Sequence, residues 1–223
     1  MEALRTMSGA FLVTIAAIFP IVNPLESAPF FHVLTKDLPA VRQRVLARKI
    51  AVNGFGLLLG SMVLGPWLLV FFGIELPVVR IAGGLVLTTL GWKLLSQEHW
   101  SDHGSDGVSS SSLDHSGAFY PLTMPLTVGP GSMSVAISVG SHKPVGVLNL
   151  ADIAFNAIGA FAGLVVIGLS IFIAYRFAAN LSRFLGASGI EVVARLSAFI
   201  LMCIGIEFLW SGYLALAAAA HAG

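Results

Sequence analysis

Two stretches of the chain hold the residues that could do chemistry. Phe19-Pro20-Ile21-Val22-Asn23-Pro24-Leu25-Glu26-Ser27-Ala28-Pro29 and Tyr120-Pro121-Leu122-Thr123-Met124-Pro125-Leu126-Thr127-Val128-Gly129-Pro130 both read aromatic-Pro-x-x-x-Pro-Leu-x-x-x-Pro, and together they contain six of the ten prolines. Each copy lies in a strongly apolar run, where an interior proline costs a helix about 3 kcal/mol. Proline removes a backbone donor and crowds the carbonyl four residues earlier, so Pro24, Pro29, Pro125 and Pro130 are expected to leave carbonyls free. Free carbonyls can meet a cation or an ammonium group, and the half-helix N-termini after the breaks can meet a carboxylate. A small zwitterion carries both groups. Asn23, Ser27, Thr123, Thr127, Ser132 and Ser134 add neutral hydrogen-bonding groups, and Gly129-Pro130-Gly131 allows a ligand to approach the backbone closely. The competing reading of these hydroxyls is that they patch the freed backbone.

Three ionisable residues in or near apolar segments are candidates for binding a coupling ion. Glu26 stands beside the first break, where it either binds a proton or sodium ion or caps a half-helix. Glu207 lies deep in a later apolar run, where an unpaired carboxylate is expensive. Asp152, with Asn149 and Asn156 on roughly the same helical face, also reads as a favourable charge at a helix start.

The elements that must position these residues are membrane helices. Apolar residues make up 57% of the 223-residue chain and charged residues 10%, with mean hydropathy +0.90. A composition of that kind belongs in lipid. Stretches long enough for about 30 Å of hydrocarbon fall at roughly 7–34, 48–72, 76–97, 118–140, 147–175 and 192–219. The expected architecture is therefore an all-α integral membrane protein of six helices, the first and fourth broken. Asn53, Gly54 and Gly56 read as interhelical contacts in the second span. Residues 98–117, rich in Ser, Gly and Asp, read as a flexible linker between a first three-helix repeat (1–97) and a second (118–223), within one membrane domain. A weaker echo pairs Arg80 and the residues after it with Arg195 and those after it. Three spans per half force the second repeat to enter from the opposite side, an inverted repeat. Lys36, Arg42, Arg44, Arg48, Lys49, Lys93, Arg176, Arg183 and Arg195 fall on one side and only Arg5, Arg80 and Lys143 on the other, which places the basic loops and linker in the cytoplasm and both termini outside.

Several classes are disfavoured. A net charge of +1 offers no basic face for nucleic acid. The single Cys203 gives no disulfide or thiol metal site and reads as a small core residue. His99, His103 and His115 with the linker carboxylates read as a solvated loop rather than a metal site, so no metal or other cofactor is expected. No His-Glu-x-x-His pair, Gly-x-Ser-x-Gly turn or convincing carboxylate pair supports an enzyme. The N-terminus lacks the basic front and small-residue cut site of a cleavable signal.

The sequence Asn23-Pro24-Leu25, then Pro29-Phe30-Phe31, then Pro121-Leu122-Thr123-Met124-Pro125-Leu126-Thr127-Val128-Gly129-Pro130-Gly131 resembles the MarC family, bacterial and archaeal six-helix membrane proteins of about this length. Asn23, Pro24 and Pro29 match its first motif, and Pro121, Thr123, Pro125, Gly129, Pro130 and Gly131 its second; Glu26 departs from a position that is usually small. The resemblance implies a transporter of small neutral amino acids driven by a proton or sodium gradient, located in the bacterial inner membrane. The expected solute site comprises Asn23, Pro24, Glu26, Ser27, Thr123, Thr127, Gly129, Pro130 and Gly131, with Glu26, Glu207 and Asp152 as ion-coupling candidates. The alternatives are a passive channel or exporter of small metabolites, or a structural membrane protein. The expected partners are the lipid bilayer, the solute and the ion, and the sequence leaves a homo-oligomer open.

Overall fold

The computed structural model describes residues 2–96, 118–141 and 150–222. The linker at 98–117, with its three histidines, lies outside the described residues. The described residues are all-helical: α1 Glu2–Val22, α2 Pro24–Thr35, α3 Ala40–Phe72, α4 Leu76–Ser96, a π-helical segment Ala118–Thr127, α5 Pro130–Ser141, α6 Leu150–Arg176 and α7 Ala178–Ala222.

Five helices among the described residues are long and apolar enough to cross a membrane, within α1, α3, α4, α6 and α7. The expected fourth span, 118–140, is two short pieces, ten residues of π-helix and twelve of α5. Neither piece alone covers about 30 Å of hydrocarbon at 1.5 Å per residue.

Local chemistry sets the helix ends. Gly73 closes α3 in the left-handed conformation (φ 66°), its N–H donating to Val70 O at 3.2 Å while Ile74 N–H reaches Leu69 O at 2.9 Å. That is the familiar left-handed stop for which glycine costs least. Between α2 and α3, the Gln43 side-chain amide donates to Thr35 O at 2.8 Å and Leu38 O at 3.1 Å, tying the end of α2 to the start of α3. Inside α7, Gly186 adopts φ 63°, ψ 178°, a region open essentially only to glycine, so a short helix precedes the long apolar one.

Close backbone approach governs the packing. α4 and α7 run antiparallel, with Gly91 against Ala198 and Met202, Gly84 against Gly205, and Gly212 against Pro77 and Ile81. A Cβ on Gly84 would stand 2.6 Å from Gly205 O, so only hydrogen fits there. α1 runs parallel to α6, where Gly159 faces Met7 and Ala10 and Gly163 faces Phe11 and Thr14. α5 packs on α3, through Ile137 over Gly65, and on α4, through Gly131 beside Leu87 and Ser134 beside Gly83. In a bilayer, where lipid tails are as apolar as leucine, such small-residue contacts are what drive helices together. Gly54 fits this, meeting Val128 and Ile171, whereas Gly56 meets nothing.

The outward faces carry large apolar side chains, among them Trp67, Phe71, Trp92, Phe184 and Trp210. Cys203, expected in the core, is exposed on α7. The buried core is Ile18, Phe31, Ile50, Leu58, Leu87, Leu122, Val128, Val135, Leu164, Ile167 and Ile171, gathered around the two interrupted helices.

Candidate functional site

The first interruption is at Asn23, the only non-glycine residue with positive φ among those described (φ 37°, ψ 71°). Asparagine tolerates that region better than most residues. Its N–H donates to Phe19 O at 2.9 Å and closes α1; its carbonyl then accepts Ser27 N–H at 3.3 Å and Ser27 Oγ at 3.0 Å as α2 begins. Pro24 occupies the first position of α2, where a missing N–H costs nothing.

The second interruption repeats this arrangement. Gly129 O accepts Met133 N–H at 3.2 Å and Ser132 Oγ at 2.8 Å, and Pro130 opens α5. At both breaks the N–H groups of the second and third helical residues, Leu25 and Glu26 in α2 and Gly131 and Ser132 in α5, precede the first intrahelical bond. Such groups carry the positive end of a helix dipole and suit an anion.

Two expected breaks do not occur. α2 continues through Pro29. Pro121 and Pro125 lie inside the π-helical segment. The wider π turn moves the acceptor from the fourth to the fifth preceding residue, which relieves the crowding that proline causes in an α-helix. Val128 N–H accordingly donates to Thr123 O at 2.8 Å. The threonines follow the same spacing: Thr123 Oγ1 donates to Ala118 O at 2.6 Å and Thr127 Oγ1 to Leu122 O at 2.7 Å. The donors of these two hydroxyls, and that of Ser27, are therefore given to backbone carbonyls, as the patching reading holds. Their lone pairs still face outward as acceptors.

One residue that sequence reasoning missed joins the two interruptions. Tyr175 on α6, 2% exposed, places its phenol oxygen 2.6 Å from Thr127 Oγ1. Ser27 on α2 is within bonding reach of the same phenol. The Tyr175 ring stacks on Phe31 of α2, with centroids 4.7 Å apart and planes 14° from parallel. Ser27 stands four residues past Asn23 and Thr127 two before Gly129, so a single phenol touches both broken segments. A tyrosine beside Arg176 at the end of an apolar span reads from sequence as an interfacial anchor; only the buried hydroxyl reveals its place.

The ionisable candidates are scattered. Glu26 is the third residue of α2, so its backbone borders the first break. Asp152 lies in the first turn of α6, as a helix-end charge would. It precedes Tyr175 by 23 positions, about 34 Å along the helix. Glu207 is exposed on the outer face of α7 with Cys203, Trp210 and Leu214, and makes no ion pair among the described residues. Ser134 donates to Val79 O at 3.0 Å, tying α5 to α4. Among the described residues no group of His, Cys, Asp or Glu is arranged to hold a metal.

Comparison with known proteins identifies the chain's relatives. The chain is 28% identical over 207 residues to a UPF0056 inner membrane protein MarC of Citrobacter koseri, covering 90% of this chain and 92% of that protein. It is 28% identical over 203 residues to a UPF0056 membrane protein of Methanocaldococcus jannaschii, covering 91% and 95%. A UPF0056 membrane protein of Aquifex aeolicus is 27% identical, with 91% of each chain covered. No solved structure matches. The description "MarC family integral membrane protein" matches residues 8–216, nearly the whole length. With its apolar helices and outward apolar faces the molecule sits in a lipid bilayer, and the chain belongs to the MarC family of integral membrane proteins.

Proposed function

We propose that this protein is a secondary transporter that carries a small zwitterionic solute, a neutral amino acid such as glycine or alanine, between its two broken helices. The observation that carries the reading is the meeting of both interruptions on Tyr175. Two half-helices, α2 and α5, begin there with free N–H groups, while the preceding segments end there with carbonyls. Paired discontinuous segments of this kind are how many carriers hold the two ends of a charged solute.

The halves form a 3+3 inverted repeat in this reading. Exchanging α1 with the π-helical segment, α2 with α5, α3 with α6 and α4 with α7 maps the principal packing partnerships onto one another. α1 with α6 becomes α3 with the π segment, α2 with α7 becomes α4 with α5, and α3 with α5 becomes α2 with α6, while α3 with α6 and α4 with α7 map onto themselves. The broken pairs α1–α2 and π–α5 each count as one crossing, giving six. Two halves related in this way can rock past each other around a fixed site, which is alternating access. The basic residues set the orientation, with both termini outside and the linker in the cytoplasm of an inner membrane. A proton or sodium gradient drives the cycle, with Glu26 as the coupling residue closest to a break.

Uptake of radiolabelled glycine and alanine into liposomes holding the purified protein, under an imposed proton or sodium gradient, tests this. Accumulation against the solute gradient is the expected outcome. Equilibration without accumulation identifies a passive channel, and no flux for any small metabolite rejects transport.

A further inference from the structure

We infer that Arg80 and the serines facing it on α5 form a second, outer binding site for a carboxylate, distinct from the broken-helix junction. Arg80 is the fifth residue of α4, inside an apolar span. It shares a face with Gly83 and Leu87, three and seven positions on, and these are buried against Ser134 and Gly131 of α5. Arg80 itself is only partly exposed, whereas Val78, Leu85 and Val86 on the other faces are open. The guanidinium therefore points into protein and not into lipid.

Its hydrogen bonding is incomplete. Arg80 Nε donates to Ser138 Oγ at 3.3 Å, and Ser138 is 7% exposed. The four terminal N–H groups have no partner among the described residues. The corresponding arginine of the second half differs. Arg195 is held by Glu191, one turn earlier, through bonds of 2.9 and 3.1 Å. The position one turn before Arg80 is Leu76, and Glu75 makes no ion pair with it. A second feature marks the same place. Ser141, one turn beyond Ser138 on α5, buries its Oγ with no hydrogen-bond partner among the described residues. A buried hydroxyl left unpaired one turn from the serine that meets an unneutralised arginine is costly for a purely structural arrangement. Both are satisfied by an oxyanion. The planar fork of arginine matches a carboxylate in two parallel bonds, and a serine can donate a third.

The site lies eight residues along α5 from Pro130, about 12 Å from the second break. Leu87 packs over Gly131, Gly83 over Ser134 and Arg80 over Ser138 along the α4–α5 seam between them. This deepens the transport reading, since a carboxylate captured at Arg80 would be held against the helix that opens the second break. The binding step needs no gradient and is tested apart from it.

The probe is acetate, with methylamine as its cationic counterpart, followed by saturation-transfer NMR on the protein in lipid nanodiscs. In phosphatidylcholine discs the wild-type protein is expected to bind acetate and not methylamine. Arg80→Gln should weaken acetate at least tenfold and Arg80→Lys several-fold, while Arg195→Gln leaves it unchanged. Should Arg80→Gln fail to fold, Ser138→Ala and Ser141→Ala keep the guanidinium and should each weaken acetate several-fold. Acetate binding that is absent, or indifferent to all these changes, overturns the site. Binding that vanishes when phosphatidylglycerol is added to the discs also overturns it, in favour of a lipid headgroup phosphate. Uptake of glycine under a gradient is read separately, so loss of the outer site and loss of the transport reading are distinguishable.

Discussion

Tyr175 Oη lies 2.6 Å from Thr127 Oγ1, and of the two hydroxyls the tyrosine is the donor. Thr127 has one proton and gives it to Leu122 O at 2.7 Å, so it can only accept from the phenol. The hydroxyl chain runs from α6 into the π-helical segment and ends on the Leu122 carbonyl, five residues before Thr127. Replacing Tyr175 with Phe keeps the stack on Phe31 and strands one acceptor. The expected loss of stability is about 1 kcal/mol. Thr127→Val removes the hydroxyl's bonds to both the Leu122 carbonyl and the phenol, so it should cost about 2 kcal/mol. The double variant should cost less than the sum, because each change removes the same bond. Thermal unfolding of the three variants in one detergent measures this; strict additivity would show that the bond contributes nothing.

The glycines of the α4–α7 seam divide from Gly56 and Gly60 of α3. Alanine at Gly84 would meet the backbone of Gly205 and Leu209, and at Gly91 that of Ala198 and Met202. Each should destabilise by about 1–3 kcal/mol, as overpacking does. Gly56 and Gly60 on α3 have nothing within 4 Å. Alanine there should stabilise the helix by about 0.5–1 kcal/mol. The comparison is made by thermal unfolding, and equal effects at the two sets would contradict the tight α4–α7 seam.

Asn23 should be replaceable by glycine and not by valine. Its φ of 37° suits glycine without strain, whereas a β-branched residue there should cost about 1–2 kcal/mol. The readout is the yield of folded protein by size-exclusion chromatography together with the unfolding temperature. A valine variant as stable as the wild type would mean that the chain does not need a left-handed residue at the break.

Removing the Glu191–Arg195 pair should change little. Both side chains are about half exposed, 50% and 46%, and such pairs are worth under about 1 kcal/mol. Glu191→Gln should shift the unfolding temperature by no more than a degree or two, and less at high salt. A large loss would mean that these charges meet something more than each other.

Much of this architecture is legible in the residues, and the omissions have physical causes. Pro24 and Pro130 mark both interruptions because proline suits the first turn of a helix and not its interior. The same rule misplaces breaks at Pro29 and Pro125, since a helix whose neighbours cover its irregular turns tolerates proline. The π-helical segment is not visible in periodicity; it shows only as threonines bonding five residues back. Thr123 and Thr127 look like ligands for a solute because hydroxyls in an apolar run have few other uses, yet their donors go to the backbone carbonyls of Ala118 and Leu122, five residues back. Tyr175 escapes notice because its meaning lies in neighbours about 50 and 150 positions away in the chain. Glu207 shows the opposite failure. Depth in an apolar run suggests an interior partner, but hydropathy does not say which way a side chain faces, and this one faces outward.

The central claim is that one solute occupies both breaks at once, and paired cysteine protection tests it most directly. Cys203, the only cysteine, is first replaced by alanine. Single cysteines then replace Ala28, just after the first break, and Ser132, at the start of α5, and each is modified by a small thiol reagent with and without alanine in solution. The account predicts that alanine slows modification at both positions with the same half-maximal concentration. Protection at one position only, or at neither while gradient-driven uptake persists, would contradict it.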